Sequence, residues 1–230
     1  MTMLPAPMQQ RRALLGARYL RGSGIEIGAL DCAMPVPESA RVRYVDRVSV
    51  AELRRYYPEL QDHVLVEPDV IDNGETLESI ADDSLDFIIA NHMLEHCENP
   101  LGTLRVHLRR LRRGGILFYS IPDKRQCFDE ERPLTPFAHL LADEADGGAQ
   151  SRWPHYLEWA THVNKLADPD AAAHNARENM RSAYSIHFHV WDPDSFRQFL
   201  AAAASHLDHA YALEHFETSG SEIISVLKKR

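Results

Sequence analysis

The chain is 230 residues long, 44% hydrophobic and 26% charged, with 11 glycines and 13 prolines; this excludes a disordered or collagen-like chain and leaves room for one large buried core. Lys and Arg number 25 against 34 Asp and Glu, a formal net charge of -9, so neither nucleic acid nor an anionic membrane is expected as a partner. Cys32, Cys97 and Cys127 lack paired spacing, which excludes a disulfide framework; with no apolar run of signal-peptide or membrane-spanning length, the expectation is a cytoplasmic protein of open oligomeric state.

In chain order, residues 9–21 set Leu14, Leu15 and Leu20 among arginines and predict a short amphipathic helix, stopped by Gly22 and Gly24. Ile25 and Ile27 mark a first buried strand and VRYVD at 42–46 a second, with Pro35 and Pro37 barring a helix between them. VSVAELRRYYPEL predicts a helix up to Pro58, HVLVEP at 63–68 a third strand, and LDFIIAN at 85–91 a fourth with the unbroken apolar run of a parallel sheet. Leu101, Leu104, Leu108 and Leu111 predict a helix from Pro100 to Arg113, stopped at Gly114 and Gly115, and ILFYSIP at 116–122 is the fifth strand. Residues 123–190 interrupt this alternation with helices near 134–145, 152–166 and 170–181, followed by YSIHFHVW. Asp192 as N-cap and Pro193 behind it open a helix through Ala204. YALEHFET and EIISVLKK then predict a hairpin across Ser219-Gly220-Ser221. The pattern is α/β: a doubly wound, mostly parallel seven-stranded sheet, Rossmann-like, with a C-terminal antiparallel hairpin and a mainly helical insertion after strand five. One domain is expected over 1–230, with 123–190 an insertion or lid within it.

In such a sheet, ligands bind beyond the carboxyl ends of the strands. Glu26 and Asp46 stand twenty residues apart near the ends of successive strands. Gly28 allows close backbone approach, and Asp46 is suited to accept both hydroxyls of a ribose. The plainer alternative has both acids capping strands and pairing with Arg43 or Arg47.

Here the sequence resembles class I S-adenosylmethionine-dependent methyltransferases, from about Gly22 to Gly115 and again over the C-terminal hairpin. The resemblance rests on IEIGALD, YVDR and DDSLDFIIANHMLEHCENPLGTLRVHLRRLRRGGILFYSIPD, the last similar to the LEH-type branch. It implies S-adenosylmethionine as cofactor, with Glu26, Gly28, Asp46 and Arg47 around it and Asn91 and His92 beside its methionine part. Asp69 matches the adenine-side acid, with Asp72 competing for that role. Where the family pattern has further glycines this chain has Leu30 and Cys32, and LDCAMPVPES replaces the helix expected after strand one. A sulfonium donor without a pyrophosphate tolerates that better than a dinucleotide does.

Nine of the 13 histidines lie at or after His139. His187 and His189 alternate on an extended segment and share a side; His139 and Asp143 share a helix face. These four offer either a general base or a divalent metal site, and packing between insertion and core is the bland alternative. His96, near Glu95 and Glu98, is a further candidate base. Asp123, Lys124 and Arg125, directly after strand five, are candidate acceptor contacts. Trp153, Tyr156 and Trp159 read as core, and the arginines of 105–113 as the wet side of a helix. The leading function is S-adenosylmethionine-dependent methyl transfer to a small hydroxylated acceptor, a sugar or secondary metabolite, with O-methylation favoured. A non-catalytic cofactor- or partner-binding scaffold is the alternative.

Overall fold

A computed structural model describes residues 6–57 and 60–230. Helix α1 (Ala6–Tyr19) leads into β1 (Gly22–Ile27), β2 (Ala40–Asp46), α2 (Val50–Tyr56), β3 (Val70–Ile71), β4 (Leu85–Asn91), α3 (Pro100–Arg110) and β5 (Leu111–Pro122). Then come α4 (Phe137–Asp146), α5 (Arg152–His162), α6 (Pro169–Arg181), α7 (Pro193–His206), β6 (Tyr211–Ser219) and β7 (Glu222–Lys229). The sheet order is β3-β2-β1-β4-β5-β7-β6. β1 to β5 pair in parallel, and β7 runs antiparallel between β5 and β6. The expected seven-stranded Rossmann-like sheet with its C-terminal hairpin is what forms.

Pleat parity divides the core in two. Ile88, Ala90, Leu117 and Tyr119 face α3 and α7, which contribute Leu101, Leu104, Phe196 and Leu200. Phe87, Ile89, Phe118, Ile224 and Val226 face the other way, against Leu15 and Leu20 of the N-terminal segment and Met34. Caps fix the helix starts: Ser49 and Glu52 form a reciprocal box on α2, Asn99 accepts from the Gly102 amide, and Asp192, as expected, from the Ser195 amide. Pro58, expected to end α2, lies outside the described residues.

Two elements differ from expectation. The third strand is Val70–Ile71, not 63–68. Pro68 brings no amide to a ladder, Val64 is 90% exposed, and pairing with β2 starts only where the Asp69 amide donates to the Tyr44 carbonyl at 2.8 Å. Helix α3 ends at Arg110 rather than Arg113, because Leu111, fully buried, already pairs with Leu85 in the sheet. Gly114, at φ +80, then carries β5 through its irregular start.

The insertion has a small apolar cluster of its own. Tyr156, Trp159 and Ala160 of α5 pack on Ala172 and Ala176 of α6 and on Ile186 and Phe188, so the Trp-Tyr stripe is core as read. Leu140 of α4 joins the main core instead. Residues 184–191 form neither helix nor strand and lie outside the sheet, fastened where the Phe188 amide donates to the Glu95 carbonyl at 2.7 Å and the Lys124 amide to the Trp191 carbonyl at 3.0 Å.

Candidate active site

At the end of β1 the chain turns at Gly28 (φ +65), where an added Cβ would meet nothing within 4 Å. Leu30 holds φ +50, so the left-handed geometry that a motif glycine would supply persists without one, at the strain such backbone carries in a side-chain-bearing residue. Glu26 is 1% exposed and both its oxygens accept from the Met34 amide, at 2.9 and 3.1 Å. It therefore ties the 28–39 segment over the strand end. Asp46, at the end of β2, accepts from the backbone amides of Arg47 and Val48, and burial raises its pKa. Arg47 donates to the Tyr57 hydroxyl, and the Tyr57 ring lies 6.4 Å from that of Tyr184 in the insertion.

Both adenine-side candidates accept local hydrogen bonds. Asp69 precedes the true third strand and accepts from the Tyr44 amide at 2.7 Å, completing the β2 edge. Asp72, directly after β3, accepts from the Ser79 amide and hydroxyl.

Beyond β4 and β5 lies a buried polar chain, of which the sequence reading found only part. The Asn91 amide nitrogen is 3.5 Å from Glu26, and its oxygen accepts from the Ser120 hydroxyl at 2.9 Å. Ser120 accepts from Arg12 of α1 at 3.0 Å. The Arg12 guanidinium pairs with both oxygens of Glu222 on β7, with 3% and 0% of the two side chains exposed. Glu222 in turn binds Nε2 of His92 at 2.6 Å. His92 sits at φ +51, keeps 29% of its side chain exposed and turns Nδ1 towards Glu95, 3.6 Å away. Burial would raise the Glu222 pKa, but the His92 hydrogen bond and the Arg12 charge hold it below the usual range.

Asp123, Lys124 and Arg125 form a turn tied to the segments around it, the Asp123 amide donating to the Ser221 carbonyl at 2.8 Å. Asp123, fully buried, caps Lys124–Gln126 and pairs with Arg125 at 2.7 Å, while the Lys124 ammonium donates to the Glu130 carbonyl at 2.7 Å.

The four-residue set expected in the insertion divides. Alternate residues of an extended segment share a side yet stand about 7 Å apart, and the two histidines meet different neighbours. His187 Nδ1 binds Asp129 at 2.6 Å, and Asp129 pairs with the wholly buried Arg132 at 2.7 Å. The His96 ring meets His187 edge-on at 4.6 Å, and its Nδ1 lies between the Ile186 carbonyl and the Ser185 hydroxyl. Burial pushes its pKa well down. His189 instead joins His139, Asp143 and His155, a residue the sequence reading passed over. Burial lowers His155 to about 4 and His189 to about 3, whereas the Asp143 hydrogen bond raises His139.

A methyltransferase-domain family profile matches residues 17–204. The chain belongs to this methyltransferase family. Its cofactor is accordingly S-adenosylmethionine. No curated protein sequence matches it. Among solved structures the methyltransferase is similar to a protein from Rhodobacter sphaeroides provisionally described as a Zn-dependent alcohol dehydrogenase, at TM-score 0.57 and 14% identity over 96% of this chain and 90% of that one. It is also similar to a chain in the Haloferax volcanii complex of the Trm112 methyltransferase activator with a provisionally assigned methyltransferase, at TM-score 0.53 and 12% identity over 96% and 88%. At these identities the likeness establishes the fold. Among the described residues no helix is long and apolar enough to cross a membrane.

The donor end of the methyltransferase fits the cofactor: the backbone at Gly28 is open to approach, Asp46 closes β2, and Asn91 and His92 close β4. Glu26 shapes this end at a pH-dependent cost. Burial raises its pKa to about 7, against the Met34 amide and the Arg12 charge. The folded state thus binds a proton that the unfolded state releases near 4.5. This contribution favours folding at low pH and is lost as pH rises from about 4.5 to 7. Glu26→Gln keeps an acceptor for the Met34 amide and is expected to stabilise the protein by about 2–3 kcal/mol at pH 8 and hardly at all at pH 4.5. Urea unfolding at both pH values checks this; an equal effect at the two would remove the assignment.

Proposed function

We propose that the enzyme methylates a hydroxyl of a small acceptor, such as a sugar or secondary metabolite, with His92 taking the hydroxyl proton. The observation that carries the reading is the His92–Glu222 pair at the carboxyl end of β4, partly open on the His92 side and closed on the Glu222 side. S-adenosylmethionine supplies an electrophilic methyl group on a sulfonium. A neutral amine attacks such a carbon with its own lone pair, whereas a hydroxyl must lose its proton as the new bond forms, and an oriented imidazole near neutral pH suits that task. Glu222 sets the ring's orientation through Nε2, and Nδ1, beyond hydrogen-bond distance of Glu95 at 3.6 Å, is the nitrogen that accepts the proton. Asn91 and the Gly28 turn position the donor side, and residues 123–190 serve as the acceptor-side cover that excludes water. Of the first choices from the sequence, His187 is held by Asp129 and His139 by Asp143 and His155, His189 is buried away from any acceptor, and His96 holds residues 185–186.

Methyl transfer assayed against a panel of hydroxylated metabolites and the matching amines, with the methylated atom located by mass spectrometry, tests the reading; transfer to amines alone would overturn it. On the donor side, Asp46 is the residue proposed to hold the ribose. Asp46→Ala should weaken S-adenosylmethionine binding by roughly 1.5–3 kcal/mol in calorimetry, the scale of hydrogen bonds to a charged group. Unchanged affinity in a folded variant would reject that role.

A further inference from the structure

The His139, Asp143, His155 and His189 cluster lies outside the polar chain at the strand ends and has no part in the proposed chemistry. The four side chains come from α4, α5 and the 184–191 segment, and each turns one ligand atom inward so that all lie within 4.8 Å of one another. Nε2 of His139 is 3.0 Å from Nε2 of His155 and 3.1 Å from Oδ2 of Asp143; Nε2 of His189 is 3.6 Å from the same oxygen. A tetrahedral zinc site with ligand bonds of about 2.0–2.1 Å has edges of about 3.3–3.4 Å, which these separations bracket.

Protons alone serve this arrangement badly. One hydrogen on His139 Nε2 can satisfy His155 or Asp143 but not both. Asp143 Oδ2 and both ring nitrogens of His189 are buried with no well-aligned hydrogen bond, Oδ2 having only the charge contacts with His139 and His189, a costly state for groups withdrawn from water. A divalent cation at the centre would give Asp143 Oδ2 and one ring nitrogen of His189 a partner. The surroundings also match those of metal ligands: the Ser151 hydroxyl donates to Oδ1 of Asp143 and fixes Oδ2 inward, the Glu98 carbonyl faces the His189 ring, and His139, with 32% of its side chain exposed, leaves a route in.

We infer that His139, Asp143, His155 and His189 form a structural zinc site that fastens the insertion's helices to the 184–191 segment. Three imidazoles and one carboxylate fill a tetrahedron and leave no open position, which distinguishes the site from a catalytic one. The inference does not depend on the acceptor or on methyl transfer.

The test uses the tag-free full chain. After chelation with dipicolinate, cobalt(II) titration should give the intense visible d–d bands of a tetrahedral site at one equivalent. Zinc should displace them and raise the melting temperature by several degrees. His155→Gln and His189→Gln should lose the bands, while His174→Ala, at an exposed histidine elsewhere, should keep them. The wild-type spectrum decides even if both cluster variants fail to fold. Absence of tetrahedral bands together with a melting temperature indifferent to zinc would overturn the proposal, as would bands that survive in folded cluster variants.

Discussion

Replacing His92 with alanine is expected to slow methyl transfer at saturating S-adenosylmethionine by about 10² to 10⁴-fold, the range that a positioned general base supplies. The expectation follows from where the imidazole sits. It closes β4 beside Asn91, it is oriented through Nε2 by a carboxylate with no exposed surface, and it has 29% of its side chain open. His187→Ala is the companion measurement. That ring is enclosed with Asp129, Phe128 and Trp159, so its loss should lower stability and leave the rate of the remaining folded enzyme within a factor of ten. A rate that collapsed in the His187 variant and survived in the His92 variant would return the base to the insertion.

Arg12→Met should destabilise the fold by about 3–5 kcal/mol, because it leaves the Glu222 carboxylate buried without its cation. The double variant Arg12→Met, Glu222→Gln should recover most of that loss, since the penalty belongs to the orphaned charge rather than to the absent pair. The sign with pH is fixed by the depressed Glu222 pKa. Its stabilisation is present above the ordinary value of 4.5 and is lost as pH falls through the folded-state value. Denaturant unfolding of the three proteins at neutral pH provides the check; a single variant as stable as wild type would show that Glu222 is solvated or otherwise paired.

The sheet was legible because its signals are local and redundant: unbroken apolar runs for β4 and β5, the Asp192 cap, and a Gly-centred hairpin. β3 was not, because two paired residues make no pattern, and HVLVEP carries strand-like composition for a segment that hydrogen-bonds to Leu30 instead. Arg12 was legible in principle: Met8, Arg12 and Leu15 form the inner face of α1, and an arginine on such a face needs an acid. Nothing in the sequence pointed to Glu222 as that acid. His155 could have been found in the same way, four residues before the buried Trp159 on α5. The pairing of His187 with His189 failed because shared sidedness says nothing of separation along a strand.

Arg12 and Glu222 are 210 residues apart in sequence, and β7 is threaded between β5 and β6 after both are made. During synthesis, Asp46, Asn91 and His92 leave the ribosome long before the carboxylate that orients His92 exists. Closing so long a loop adds little to the free-energy cost, which grows only with the logarithm of length, but it delays assembly, since non-local pairings form late. On the proposed mechanism, a nascent chain short of β7 has the donor-side residues but no oriented base, and the final strand completes the catalytic arrangement when it enters the sheet.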